Sequence, residues 1–531
     1  MNELNLLIGS KSGFQINKIK NRKFNIKKTF LKVKESSKRP YCIFILLCIL
    51  ISIIAFSFFS IKKIIKKGTK ISINANKNKI KPEFSFVTNF KKEYMPPENQ
   101  NPMCDNLDPI NSFNLRLKSP AKVICKNGKS QHICYLNKLP NYAGARGVIC
   151  KMTNIILDPS HWHNSSYTYK GPVDKEQKGK PILSKGFFNM NCQNESLLEN
   201  YGKMYNNYFE GWDYHSNDNN TYEELAPGKT IFFLSRNQDS PNLYHGGSEF
   251  INALSLMYLL DLEPENIQVV FLESMVINDD PFYDLYSNLI GRGGKPIYPK
   301  NLDLSKKYHI TKAVHIPINW DSPCFIISGV PSCKNPTLTY YFYNKLVDNY
   351  MNISDYKDSF KSDGDIFYYP KPIIENYELN INFTKIVTFQ WRRVWPKGRN
   401  NQQRILGNGP ELADKLAKAL PKNVLLRLID TASLPISEQI SIMRKTDYFV
   451  GIHGAGLTLA IFAPKHCIFH EVLHKYNMNG LLLMASLSGH KTYSDIVSSQ
   501  TKFIDTNENI FFDEEKFVER VLSHMKENQI I

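Results

Sequence analysis

From residue 383 onward the chain alternates short apolar runs with stretches of helical period, which restricts this half to a parallel sheet faced by helices. Lys385-Ile-Val-Thr-Phe389, Val424-Leu-Leu-Arg-Leu-Ile429, Tyr448-Phe-Val-Gly-Ile452 and Cys467-Ile-Phe-His-Glu-Val472 read as strands. Pro410–Leu420 reads as a helix, with Pro in its first turn and Pro421 just past its end. Residues 435–445 and 512–527 read as two more helices. A similar block comes earlier: strands at Thr230–Leu234 and Gln268–Leu272, and helices at 243–261 and 337–350. The expected fold is therefore α/β, with two Rossmann-type lobes and a cleft between them. Ligands of such sheets sit beyond the carboxyl ends of the strands.

The 531 residues exceed one ordinary domain. Residues 1–40 are basic and read as a cytoplasmic tail. Tyr41 to Ile61 carries no charge, and 21 residues at about 1.5 Å each span a bilayer core, so a transmembrane helix is expected there. Residues 62–100 are rich in Lys and Asn and read as a stem. Residues 101–382 form the expected N-terminal, acceptor-side lobe, with an irregular cysteine-rich start, and 383–531 the C-terminal, nucleotide-binding lobe. Lysines flank the apolar run on both sides, so charge barely orients it. Five glycosylation sequons, at Asn164, Asn194, Asn219, Asn352 and Asn382, all follow it. They favour a single-pass type II protein with its bulk in the Golgi or ER lumen.

The net charge of +18 is explained mostly by these juxtamembrane lysines. No arginine-rich helix, zinc finger or aromatic RNA-binding signature accompanies it, so nucleic acid is not an expected partner. Eight cysteines follow the apolar run, an even number that permits disulfides. Cys324 and Cys333, on either side of a Gly-Val-Pro turn, are the expected local pair. No two cysteines have the C-x-x-C spacing of a zinc site.

The sharpest local signal is Val450-Gly-Ile-His-Gly-Ala-Gly-Leu-Thr-Leu-Ala-Ile-Phe462. An apolar strand enters a turn of small residues and then a helix. Gly454 and Gly456 let a ligand approach the backbone, and the helix start suits phosphate. His453 and the Thr458 hydroxyl can donate to phosphate oxygens; Ala455 and Leu457 complete the loop. The bland alternative is a plain strand-to-helix turn. Glu471 closes the next strand, where an acid can accept from ribose hydroxyls or simply be solvated. Arg392 and Arg393 follow the strand at 385–389, and Arg404 follows them; their guanidinium forks match phosphate oxygens. Earlier, His245 and Glu249 stand four apart, adjacent on one helix face. A carboxylate there can deprotonate an acceptor hydroxyl, although capping groups at a helix start look the same. The histidines of Asp158-Pro-Ser-His-Trp-His163 read as neither metal ligands nor catalysts.

The stretch from 385 to 475 resembles glycosyltransferase family 61, a family that includes xylosyl- and N-acetylglucosaminyltransferases. The resemblance is carried by Trp391-Arg-Arg393, Arg404-Ile-Leu, Ser437-Glu-Gln-Ile440 and Gly451-Ile-His-Gly-Ala-Gly-Leu-Thr458, with Phe462, Pro464 and Glu471. The segment Asn242-Leu-Tyr-His245 and the strand at 268–272 are also similar. The resemblance implies a GT-B fold and inverting transfer of xylose or N-acetylglucosamine from a UDP-sugar to a glycan or glycoprotein hydroxyl. It implies no obligatory metal and no other cofactor. The histidine–glycine loop and the arginines would hold the diphosphate, Glu471 the ribose, and Glu249 or His245 would be the base. The family pattern has aspartate where this chain has Glu249, the same acid with a longer reach. That difference keeps open a non-catalytic, lectin-like or scaffolding role on the same fold.

Overall fold

The computed structural model describes residues 86–93, 101–136, 148–163, 183–192, 206–216, 220–235, 243–272, 282–292, 294–317, 322–323, 330–351, 366–369, 383–392, 405–431, 434–473, 480–496, 501–504 and 509–531. All of them fall within one compact unit, Phe84–Ile531. The apolar run at 41–61, the five sequon asparagines, Cys324, Arg393 and Arg404 lie outside the described residues. Among the described residues no helix is long and apolar enough to cross a membrane.

The first sheet is mixed. Its main strands are β1 (Ala121–Asn127), β2 (Ser130–Leu136), β3 (Val148–Leu157), β4 (Thr230–Leu234), β5 (Ile267–Phe271) and β6 (Tyr308–Ile316), in the order β1-β2-β3-β6-β4-β5. Asn127 pairs with Ser130, so Gly128-Lys129 makes a two-residue turn. Gly128 takes φ +55°, a left-handed value open to glycine. That tight hairpin makes β1 and β2 antiparallel, and β3 continues the meander against both β2 and β6. Among these six strands the parallel pairs are β4 with β5 and β4 with β6. The expectation of a Rossmann-type first lobe is thus met by half a sheet, because hairpins rather than helical crossovers join the rest.

The second sheet contains β7 (Ile366–Tyr369), β8 (Lys385–Gln390), β9 (Val424–Ile429), β10 (Tyr448–Ile452), β11 (Ile468–Leu473) and β12 (Lys491–Ile496). Their order is β7-β9-β8-β10-β11-β12, parallel except for β7. The chain steps outward from β8 to β9 and then returns past β8 to β10. The connections after β8 and β10 therefore diverge, leaving a crevice at the carboxyl ends of these two neighbours. All six residues of β9 are buried, Arg427 among them. Its guanidinium donates to the carbonyls of Ile442 and Lys445, at the end of the helix Ile436–Arg444. A cation suits that negative dipole end.

Helices bind the two sheets into one body. We number them α1 (Phe86–Glu93), α2 (Pro102–Leu107), α3 (Pro109–Lys118), α4 (Leu243–Leu259), α5 (Leu338–Tyr350), α6 (Gly409–Ala419), α7 (Ile436–Arg444), α8 (Gly480–Leu487) and α9 (Glu514–Glu527). Every residue of α4 from Gly246 to Met257 is buried, the polar Ser248, Glu249, Asn252 and Ser255 included. It shares one core with α5, α8 and residues 457–463. Asn344 of α5 donates to Ile461 O, and the Arg444 guanidinium meets Asp348 at 3.0 Å. Helix α1 lies within the expected stem, yet Val87 is fully buried and its amide donates to Glu263.

Three disulfides tie the first part together: Cys104–Cys333, Cys125–Cys192 and Cys134–Cys150. The expected Cys324–Cys333 pair is corrected by the first of these. Cys333 bonds a partner 229 residues away, because its segment packs beside α2 rather than folding back on itself. Cys467, in the second sheet's region, is free and buried, and burial pushes its thiol pKa far up.

Candidate functional site

The crevice at the ends of β8 and β10 gathers most of the anticipated residues. Parallel register sets Gln390, Gly451 and Glu471 side by side across β8, β10 and β11. Gly451 has no side chain to fill that row. A Cβ there would sit 3.1 Å from both Gln390 Cβ and Leu457 Cδ2. Leu457 is fully buried and anchors the loop from below, so it is a core residue rather than a contact for ligand.

Residues alternate sides as they leave β8. Trp391 turns to one side, where its indole donates to Leu406 O and its ring occupies the space above Gly409. Arg392 turns to the other and lies along the loop. Its Nη1 donates to His453 O at 3.3 Å, and a Cβ on Gly454 would stand 1.8 Å from that nitrogen. Gly456 is equally tight, with its missing Cβ 1.6 Å from Gln390 Nε2. That amide donates to Thr431 Oγ1, just past β9. Both glycines are thus required by side chains that have taken the Cβ position.

His453 is pinned at three points. Its N–H donates to Val472 O at 2.9 Å, its carbonyl receives Arg392, and its Nδ1 lies 2.5 Å from Glu471 Oε1. The Glu471 side chain is 0% exposed and that of His453 12%. Ala455 and Gly456, half-buried, begin the 3-10 helix Ala455–Phe462. Thr458 is 4% exposed, and its hydroxyl is buried without a hydrogen-bond partner among the described residues.

The start of α4 reaches this corner from the first sheet. A Cβ on Gly247 would meet Thr458 Cγ2 at 3.3 Å, and one on Gly480 would meet the Tyr244 hydroxyl at 1.9 Å. His245 is therefore brought beside the glycine loop. It is half-buried, and burial lowers its pKa to about 4. Glu249, one turn further, is 2% exposed. Sequence reasoning missed Gln390, Thr431 and Tyr244. For Gln390 the signal was available, since alternation puts it on the same side as Arg392.

Other polar clusters are internally satisfied. His161 and His163 both bond the Ser184 hydroxyl. His470, Asp495 and His524 have ligand-like spacing on the far face of the second sheet. There Tyr448 OH bonds both rings, and Arg520 already meets both Asp495 oxygens as the counter-cation.

A family model described as glycosyltransferase 61 matches residues 243–469. The match opens on the first residue of α4 and closes two residues before Glu471. It thus spans the half-site on each sheet. No curated protein matches the chain.

Proposed function

We propose, for a chain that carries a glycosyltransferase family 61 domain and is thereby a glycosyltransferase, that it transfers a sugar from a UDP-sugar to a hydroxyl of a glycan or glycoprotein with inversion. The observation that carries this reading is the corner where Arg392 lies on Gly454 and His453 while the start of α4 abuts Thr458. One side is suited to a diphosphate, the other to an acceptor, in a GT-B-type division of labour.

In this mechanism the acceptor oxygen attacks C1 of the sugar from the face opposite the diphosphate. The O–C1 bond forms as the C1–O bond to the diphosphate breaks, and the electron pair leaves on phosphate oxygen. Arg392, His453 and the start of the 3-10 helix stabilise that developing charge. They provide positive charge without a metal or cofactor. The acceptor proton passes to a base. Of the two candidates, exposure favours His245. It stands at the rim of the corner, and burial keeps its ring neutral at neutral pH, ready to accept a proton. Glu249 is buried inside α4.

Xylose and N-acetylglucosamine are the sugars we put first. The three disulfides support a lumenal setting in the Golgi or ER, with the 41–61 run as a type II membrane anchor. The test uses the detergent-solubilised full chain with UDP-xylose, UDP-N-acetylglucosamine, UDP-arabinose and GDP-sugars. A UDP-sugar present at a hundred times its Kd should stabilise the protein by about 2.7 kcal/mol, a readily measured rise in melting temperature. The preferred donor should then support transfer to glycoprotein glycans. No shift with UDP or any nucleotide sugar would remove the donor site; a shift without transfer to any acceptor would favour a lectin-like role.

A further inference from the structure

An acid at the end of the strand after a phosphate loop is expected to hold ribose, but Glu471 is placed otherwise. Its side chain is fully shielded, and Oε1 meets His453 Nδ1 at 2.5 Å. The histidine, not the acid, has the exposed edge. Strand register fixes the acid directly beside Gly451, whose missing side chain leaves the loop room to fold back over it. The His453 backbone is fixed, its N–H by Val472 O and its carbonyl by Arg392, so that its ring orientation is set by the contact with Glu471.

We infer that Glu471 acts on the donor through His453, as a positioning residue that holds the imidazole toward the diphosphate, and does not read the ribose. This rests on the donor site proposed above. The contact with Glu471 Oε1 engages Nδ1 and leaves Nε2 as the atom for ligand. Phosphate oxygens only accept, so Nε2 must carry a proton to bond one. The acid thus sets the direction in which the ring meets the departing diphosphate.

The test is a cycle of affinities for UDP and 2′,3′-dideoxy-UDP, which lacks the ribose hydroxyls, measured by calorimetry on the full chain. Glu471→Gln should weaken both ligands alike, by about 10- to 100-fold, the worth of a charged hydrogen bond. In a His453→Ala background the same substitution should cost neither ligand anything further. A penalty seen with UDP and absent with dideoxy-UDP would overturn the inference in favour of ribose recognition. A penalty that persists undiminished without the His453 ring would overturn it in favour of a merely structural role. Glu471→Asp, which keeps the charge but withdraws it from Nδ1, runs the same cycle if the amide variant does not fold. Failure of the wild-type chain to bind UDP at all would instead remove the donor site itself.

Discussion

His245, in the first turn of α4, and His453, just past β10, are brought to one corner, and their surroundings differ. The His245 ring is half-enclosed at the start of a buried helix, and that enclosure drives its pKa down to about 4. A ring so placed is neutral at neutral pH. At His453 a buried carboxylate meets Nδ1, and an arginine crosses the backbone of the same residue. A ring so placed has its Nδ1 side engaged by the acid. In the proposed mechanism the same residue type is the base in one lobe and a diphosphate ligand in the other. The difference comes from the neighbours: apolar walls in one case, a charge partner in the other.

The comparison breaks first if the donor side does not hold diphosphate. Arg392→Ala combined with His453→Ala should lower both transfer and UDP-sugar hydrolysis by about 1,000-fold or more, with far-ultraviolet circular dichroism unchanged. Unchanged turnover would end the assignment. On the acceptor side His245→Ala should reduce kcat by about 100- to 1,000-fold while UDP affinity stays as in the wild type. Glu249→Gln should cost less than His245→Ala; the reverse order would return the base to the acid. Because His245 must be unprotonated, kcat/KM should be level at neutral pH and fall as pH drops through about 4. A smaller loss, about 100-fold, is expected from Gly454→Ala, whose Cβ displaces the Arg392 guanidinium by about an ångström.

The two regions also differ in how much of them could be read beforehand. In the second sheet, β9 and β10 match their expected bounds to the residue, because continuous apolar runs between polar turns leave no other register. The glycine loop was legible for the same reason, as a break between two apolar segments. The first sheet was legible only in its apolar strands: β4 matches its expected bounds and β5 lies one residue from them. Its strands β1 and β2 mix lysine, glutamine and cysteine with apolar residues, so their burial becomes apparent only once β3 and the disulfides are in place. Local spacing suggested Cys324 as the partner of Cys333, since nothing in sequence points across 229 residues to Cys104. At the site, the sequence puts Glu471 at a strand's carboxyl end, and only the folded structure shows its Oε1 meeting His453 Nδ1.

That contrast between a cross-linked region and an uncross-linked one sets a stability prediction. Cys104→Ser should destabilise the protein by about 2–5 kcal/mol in denaturant unfolding, by releasing α2 from the segment before α5. Affinity for UDP should be unchanged under native conditions, because no described disulfide lies in the second sheet's region. An equal loss of UDP affinity would mean that the lobes are held in register by this bond rather than by their shared core.

The smallest effect concerns acid. His132 and His315 lie fully buried in the first sheet's core, each pushed down to about 3 by burial. His490 and His524, packed against the second sheet, are pushed down only to about 4. Each is neutral when folded, while an unfolded histidine takes its proton near 6.5. Below 6.5 the unfolded chain therefore binds more protons, and stability present at neutral pH drains as pH falls. Each ring contributes a slope of about 1.4 kcal/mol per pH unit at most until its folded pKa is reached. The second-sheet pair should stop contributing near pH 4, and the first-sheet pair near 3. His132 Nδ1 shares a hydrogen bond with Tyr214 OH at 3.0 Å, and a side-chain amide can take that bond in either direction. His132→Gln should then flatten the stability curve between pH 6.5 and 3 by one ring's share. His524→Gln should flatten it only above about 4. Equal flattening down to pH 3 by both would show that the two cores enclose their histidines to the same depth.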